Sequence, residues 1–595
     1  MKTFFASLGG ALIGAILGVV LLVLLGIGFV QMGVENALSS AKTAGSGGDA
    51  DAILLSLDLR DDYNDQAVTT GPEALLNTPV GFIDVLTRLD AARQDDRVKG
   101  VFIRSGEYGF GSARAEELRD ALHNLKTSGK FIITHSQGIY AGGPSAYRAV
   151  SASDEIWIQP GTDLIASGLS FETLFLKGML DKLSITPEFI GLYEYKSAAN
   201  TYEEEAYTAP HREAMTALAN SIWTHSLKDI AADRDLSVEE TRQALEASPL
   251  GAEELIAYRL ADTLGWPEEA EDAALSKAGE EAVMVNIDDY IPPSVPFGAP
   301  VVAIIGGEGV VVTNAAGGSL IRAGNEFASD TIAAALLEAG KDDAVKALVF
   351  RVDSPGGSPT ASDQILRAVQ RVQSEYNKPV IISMASVAAS GGYYVSAGAD
   401  WIVANRTTIT GSIGILGGKF AIADGLARLG VNADTINVGG PFTGAFTSTQ
   451  AFSDTQRDQF RAFLERGYDR FISIVADGRD MTSQQVHQVA RGRVWSGEDA
   501  LNKGLVDQLG GVNVAIAKAK EMAEIDADTQ VRLVQYPKRN MGLPFLMGSA
   551  SAAELNAVGQ LANALQNPQL QAMLQEIEAA RGARIQARMP YINER

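Results

Sequence analysis

Two stretches decide the fold: DDRVKGVFIR at Asp95–Arg104 and DDAVKALVFR at Asp342–Arg351. They pair Val98 with Val345, Lys99 with Lys346 and Arg104 with Arg351, 247 residues apart. A second pair recurs at a shift of 245 residues, ELIAYRLADTLG (Glu254–Gly265) against DALNKGLVDQLG (Asp499–Gly510), and matches Leu260 with Leu505 and Asp262 with Asp507. Two matches in the same order at nearly the same shift imply a duplicated unit. Four prolines in IPPSVPFGAP (Ile291–Pro300) interrupt any regular element and mark the boundary between the copies.

Within each copy, short β-branched runs alternate with helical patterns. In the second, VVAIIGG (301–307), KALVFRV (346–352), PVIISMAS (379–386) and WIVAN (401–405) read as buried strands. Between them, residues 362–376 place Ile365, Leu366, Val369 and Val372 on one helical face. The first copy repeats the rhythm with VFIR, ALHNL, FIITHS and EIWIQ. Strand, helix, strand in this order predicts parallel βαβ units and an α/β fold. The expected organisation is a repeat domain over 45–290, a second over 298–538 and a helical tail over 539–595, whose Leu555, Leu561, Leu565, Leu570 and Leu574 have helical spacing.

At the start, Thr3–Val34 contains no charged residue, and Leu12–Val30 alone nearly supplies the roughly 20 apolar residues that cross a bilayer. A cleaved secretory signal would have a shorter apolar region of about 7–15 residues, ending in a small-residue cleavage site for which Ala37–Ala41 could serve. The length favours an uncleaved single-pass anchor at 1–34. Lys2 and the terminal amine on one side, with Glu35 on the other, place the remaining chain outside the cytoplasm.

Composition removes several classes of function. The 595 residues carry 49 basic and 73 acidic side chains, a net charge of −24, which argues against a general nucleic-acid binder. The absence of cysteine excludes disulfides, thiolate metal sites and a cysteine nucleophile. The five histidines lack the spacing of a zinc-protease helix, so hydrolysis without metal or cofactor is expected.

Two glycine-bearing loops follow strands of the second copy, Asp353–Ser358 (DSPGGS) and Ala389–Tyr394 (ASGGYY). Parallel strands present their carboxyl ends on one sheet edge, so both loops belong at the same rim. A serine there, beside glycine amides, could act as a nucleophile over an oxyanion hole; the glycines serve equally well as plain turns. A serine needs a base, and a lysine serves if burial disfavours its ammonium. Lys196, after the strand-like run of PEFIGLYEYKSAANTY and among small neighbours, has such a setting.

ALVFRVDSPGGS, SVAASGGYYVSAGADWIVAN, TITGSIGILG and YKSA together resemble the long, duplicated form of the signal peptide peptidase A family, over nearly the whole chain. The resemblance implies a Clp-protease- or crotonase-like fold in each copy and a membrane-anchored Ser–Lys protease. It implies Ser390 as nucleophile, Lys196 as general base and Ser412 as the serine that orients the lysine. The amides of Gly357 and Gly391 would form the oxyanion hole. It further implies cleaved signal peptides and similar apolar peptides as substrates, a homotetramer, and a body on the periplasmic side of a bacterial inner membrane. YEYKSAANTYEE lacks the glutamate–proline pair common after this lysine, and the tail beyond Lys538 exceeds what the repeat needs.

The repeat separately predicts a divided site. The first copy offers AGGPSAY (Ala141–Tyr147), with Ala141 or Ser145 in the nucleophile's place according to alignment, and no Pro-Gly-Gly turn. The second offers GGPFTGAF (Gly439–Phe446) and no lysine. The rival readings are a non-catalytic membrane scaffold or chaperone of the same fold, and an acyl-thioester enzyme.

Overall fold

The computed structural model describes residues 50–60, 63–66, 80–107, 109, 111–314 and 327–537. The expected anchor at 1–34 and tail at 539–595 lie outside these residues. Among the described residues, no helix is long and apolar enough to cross a membrane.

The β-branched runs form two parallel sheets. From one edge, the first copy orders Thr263–Leu264, Glu155–Ile158, Phe131–Ser136, Val98–Ser105, Ile53–Asp58 and Val283–Asn286. The second copy orders Gln508–Leu509, Trp401–Ala404, Val380–Ala389, Val345–Ser354, Val301–Glu308 and Arg532–Tyr536. Strand for strand the order is the same, each strand starting 245–249 residues after its counterpart, and every one of these neighbours is parallel. Parallel strands need covering helices on both faces, which is why Leu348, Val349, Phe350 and Val352 are all buried although they alternate sides. The helix Pro359–Tyr376 starts three residues before its periodic stripe predicts. The Ser358 side chain accepts from the Ala361 amide and Pro359 fits the first helical turn, so the cap extends the element.

Val380–Ala389 is long enough to pair twice. Its first half runs beside Trp401–Ala404 and its end beside Ile409–Gly411, which in turn pairs antiparallel with Val494–Ser496. The rim where this strand ends therefore gathers residues from two later segments.

The copies share a core. Val302, Ile304, Val349 and Ile381 of the second sheet pack in one apolar cluster with Leu86 and Leu118 of the first copy. Arg351, fully buried, crosses the same junction. Its guanidinium donates to Asp65 at 2.9 Å, to Glu117 at 2.6 and 2.8 Å and to Ser383 Oγ at 3.0 Å. Such a charge is tolerated inside only because each N–H has an oxygen partner. A third link is a two-stranded ladder in which Thr186–Gly191 of the first copy pairs antiparallel with Leu416–Ala421 of the second.

Candidate active site

That ladder positions the lysine. Past Gly191 the pairing continues with the Leu192 amide donating to Ile415 O at 3.1 Å, and the chain then turns so that Lys196 enters the second copy. Gly492, at φ 83°, makes the passage possible, since a Cβ there would lie 2.5–2.6 Å from the N, Cα and Cβ of Lys196. Gly414 flanks the stem, its ideal Cβ 3.2 Å from Lys196 Cδ.

Ser390 sits where the strand Val380–Ala389 gives way to the short helix Gly391–Ser396. Its backbone, at φ 53° and ψ −114°, is a sparsely populated conformation for a residue with a side chain. Two hydrogen bonds hold it: the Ser390 amide donates to Gly411 O and the Tyr394 amide to Ser390 O, both at 2.8 Å. The strain turns the hydroxyl out of the sheet edge toward the lysine. Lys196 Nζ lies 3.1 Å from Ser390 Oγ, 3.0 Å from Ser412 Oγ and 2.9 Å from Ser412 O. Ser412 is itself at positive φ, fixed by its amide donating to Arg493 O at 2.7 Å. All three oxygens beside the amine are uncharged. Burial without a counter-ion draws the Lys196 ammonium down to about 7, so near neutral pH much of it is a free amine able to accept a proton.

The Pro-Gly-Gly turn closes against Ser390. A Cβ on Gly356 would sit 2.7 Å from both Ser390 Cβ and the Gly391 nitrogen, and one on Gly391 would sit 3.0 Å from the Gly357 nitrogen. A Cβ on Gly357 would strike Val311 O at 2.2 Å, because the Gly356 carbonyl accepts from Val311 N and the Ser358 amide donates to Val311 O, both at 2.9 Å. The amides of Gly357 and Gly391 are thus brought beside Ser390 by backbone packing that only glycine permits. Around them lies a cavity of about 360 Å³, with Phe189, Tyr202, Met215, Val310, Tyr394 and Phe471 among its walls. Its apolar walls suit an extended chain with apolar side chains.

All five residues singled out in the sequence therefore converge on one cavity. Sequence reasoning did not find Gly492, Gly414 or Arg493. Arg493 donates to Tyr195 Oη at 3.2 Å and pairs with Glu213 at 2.6 Å, bracing the segment that carries the lysine. Their only signal is contact across more than 200 residues of chain, which no local pattern encodes.

The first copy's equivalent rim differs from both alignments proposed for it. Tyr147 Oη donates to Leu260 O as Tyr393 Oη does to Leu505 O, a shift of 245–246 residues that sets Pro144 in the place of Ser390. Neither Ala141 nor Ser145 occupies it: Ser145 matches Gly391, and its buried hydroxyl donates to Ser112 Oγ at 3.1 Å. Two extra residues before the helix caused the misalignment: Asp154 accepts from the Ile132 amide and Asp400 from the Val380 amide, 22 and 20 residues upstream.

The profile of peptidase family S49 matches residues 124–281 and 373–526, one copy each. The chain is 30% identical over 475 residues to "Protease 4" of Haemophilus influenzae, covering 76% of this chain and 75% of that one. It is 29% identical over 456 residues to "Protease 4" of Salmonella typhi, covering 74% and 72% of the two chains. With "Serine protease SPPA, chloroplastic" of Arabidopsis thaliana it shares 27% identity over 552 residues, 91% of this chain and 78% of the relative.

Proposed function

The chain belongs to peptidase family S49 and is a serine protease, and from that premise we propose a membrane-anchored endopeptidase whose Ser390–Lys196 dyad cleaves apolar peptides, cleaved signal peptides among them. The observation that carries this reading is the 3.1 Å approach of Lys196 Nζ to Ser390 Oγ in a setting without a counter-ion.

In this mechanism the neutral Lys196 amine takes the proton of the Ser390 hydroxyl as its oxygen attacks the peptide carbonyl. The Gly357 and Gly391 amides donate to the oxyanion, and Ser412 holds Nζ in line with the nucleophile. As the tetrahedral adduct collapses, the C–N bond breaks and Lys196 returns the proton to the departing amine. Water then attacks the acyl-enzyme, Lys196 takes its proton, and breakage of the ester bond frees the new carboxylate and restores the Ser390 hydroxyl. The apolar cavity supports apolar substrates. The uncharged stretch Thr3–Val34 supports anchoring in a bacterial inner membrane with the body on the periplasmic side, where signal peptides released into the bilayer are within reach.

The test is covalent labelling of the full-length protein in detergent with a fluorophosphonate, read by peptide mapping, beside hydrolysis of a quenched apolar peptide. Labelling confined to Ser390, lost in Ser390→Ala together with turnover, is the expected result. An unlabelled, inert but folded protein would support the scaffold reading instead.

A further inference from the structure

The strand that carries Ser390 is irregular where it passes Asp353. Between Val345–Ser354 and Val380–Ala389 the register runs from Val352 facing Met384 to Ser354 facing Ala388, two residues along one strand against four along the other. The resulting bulge lies in 385–387, and a bulge deprives main-chain groups of their ladder partners. Side chains take them here. The Val387 amide donates to Asp353 Oδ1 at 3.0 Å, and the hydroxyls of Thr408 and Thr410 donate to the carbonyls of Ala385 and Ala388, each at 2.7 Å. Asp353 thus holds the strand three residues before the serine. Its own main chain runs into the Pro-Gly-Gly turn: the Asp353 carbonyl accepts from the Gly309 amide at 2.9 Å, and the next hydroxyl, that of Ser354, accepts from the Gly356 amide at 3.1 Å. One residue therefore spans the two loops that meet at Ser390.

The second oxygen of this carboxylate meets the first copy. Arg114, in the first turn of the helix Ser112–Lys126, places Nη2 3.4 Å from Asp353 Oδ2 and 3.6 Å from Glu308 Oε1. Glu308 and Asp353 face each other on adjacent parallel strands, so the guanidinium straddles the carboxyl edge of the second sheet. Its other nitrogen, Nη1, donates to Tyr63 O at 2.9 Å. Gly111, which caps the same helix, abuts the bulge, its ideal Cβ 3.5 Å from Ser386 Oγ. The side chains of Arg114 and Asp353 are 15% and 14% exposed, so water screens their attraction little. Burial, and after it the charge of Asp65, lifts the Asp353 carboxyl to about 6 against the pull of Arg114 and Arg351. At pH 8 it is the carboxylate, and its bonds to an amide and a guanidinium are charge-assisted.

The repeat shows that the two residues depart from its pattern together. The 247-residue shift that pairs Arg104 with Arg351 also pairs the buried Leu118, Leu122 and Leu125 with Ile365, Val369 and Val372, and the helix caps Gly111 with Ser358. On it, Gly106 stands in the first copy where Asp353 stands in the second, and Ala361 stands in the second where Arg114 stands in the first. The first copy's strand has no bulge either. Its register is unbroken from Gly100 facing Phe131 to Ser105 facing Ser136, where the strand ends. The bulge, the aspartate that caps it and the serine beyond it thus occur in one copy, and the arginine that holds the aspartate occurs in the other. We infer that Asp353 and Arg114 are positioning residues for Ser390: the carboxylate fixes the bulged strand and the Pro-Gly-Gly turn relative to each other, and the first copy's arginine fixes the carboxylate. The first copy then supplies Lys196 and also sets the alignment of the serine that Lys196 serves. This inference rests on the reading of Ser390 and Lys196 as the dyad.

The test uses the full-length protein in detergent at pH 8, with a quenched apolar peptide as substrate. A peptide boronate reports the alignment of serine and oxyanion hole, and the matching peptide amide reports the cavity alone. Asp353→Leu keeps the size and removes both oxygens. It should lower kcat by about a hundredfold, the scale of an ångström's misplacement, and weaken the boronate by a similar factor, while KM and the affinity for the amide stay within about twofold. Asp353→Asn keeps an acceptor for the Val387 amide and gives up the charge, so it should cost only about tenfold in kcat. Arg114→Met should cost the same, and the two combined should cost no more than either, because the arginine acts through the carboxylate. Circular dichroism checks folding; if Asp353→Leu does not fold, Asp353→Asn, Arg114→Met and their combination decide by the same criteria. Retention of kcat in these variants overturns the inference, as does a loss shared equally by kcat, KM and amide binding, or losses for Asp353→Asn and Arg114→Met that multiply. An unaltered protein that neither cleaves the peptide nor binds the boronate overturns the dyad and this inference with it, whereas an active unaltered protein with indifferent variants overturns the inference alone.

Discussion

Lys196 Nζ stands 3.1 Å from Ser390 Oγ, although 194 residues separate them and each comes from a different copy of the repeat. The pair depends on the junction between the copies, and neither copy holds both groups. Replacing Ser390 by Ala or Lys196 by Met should each lower kcat/KM on an apolar peptide by about a thousandfold or more, and the double replacement should cost no more than either single one, because in the proposed dyad the groups act as a unit. Initial rates check this, with circular dichroism showing that the variants fold.

On the proposed mechanism the working form of Lys196 is the free amine, and since burial brings its titration to about 7, activity should rise with pH. Below that point each unit of acidification removes roughly nine-tenths of the neutral form, so kcat/KM should climb about tenfold per unit from pH 5 to 6.5 and level off above about pH 8. A pH–rate profile measures it. A flat profile across that range contradicts lysine as the base.

The same burial makes the lysine a stability burden. Its folded-state titration lies below the unfolded value near 10.5, so between the two the unfolded chain binds more protons and stability rises with pH. The cost is at its full extent below about pH 7 and vanishes above about pH 10.5. Lys196→Met removes the charge and keeps the volume. It should therefore raise the Tm, by an amount equivalent to a few kcal/mol at pH 7, and the gain should shrink as thermal scans are repeated toward pH 10.

The parts of this arrangement that were legible in the sequence are those carried by local pattern. The strand runs, the duplicated DDxVK and ADTLG or VDQLG segments and the SGGYY serine each show in a short window, because burial on both faces and turn geometry constrain neighbouring residues together. Ser390 and Lys196 were candidates for the same reason, and their assignment as a pair came from the family resemblance. What the sequence did not reveal was the ladder Thr186–Gly191 with Leu416–Ala421, and Gly492 behind the lysine. Those contacts join residues more than 200 apart, and a glycine selected by close approach looks like any loop glycine until the approaching chain is placed. The first copy's rim failed differently. Two inserted residues shifted its alignment, so that Pro144 rather than Ala141 or Ser145 stands opposite Ser390.

Gly492 therefore tests whether placement of the lysine limits turnover. At φ 83°, with Lys196 backbone atoms 2.5–2.6 Å from where a Cβ would be, alanine must displace the lysine segment. Gly492→Ala should lower kcat by about a hundredfold, the scale expected when a catalytic group moves by an ångström. The Tm of this variant should fall as well, while Gly504→Ala, also at positive φ but with its nearest neighbour 4.0 Å away, should cost stability and leave kcat unchanged. Comparing the two separates backbone strain from displacement of the base.

The Arg351 cluster should respond asymmetrically. Truncating the arginine to methionine leaves Asp65 and Glu117 as buried carboxylates without their cation, since Arg351 supplies four of the hydrogen bonds to them. Removing one partner of such a group costs about 3–5 kcal/mol. Because Asp65 and Glu117 belong to the first copy and Arg351 to the second, the loss falls on the junction that brings Lys196 to Ser390. Arg351→Met should therefore lower the Tm and reduce labelling of Ser390 by a fluorophosphonate. Adding Asp65→Asn and Glu117→Gln removes the orphaned charges and should recover a large part of the Tm, because a neutral cluster no longer carries the desolvation penalty. If the triple variant is no more stable than Arg351→Met alone, the cluster contributes through packing of the guanidinium rather than through charge.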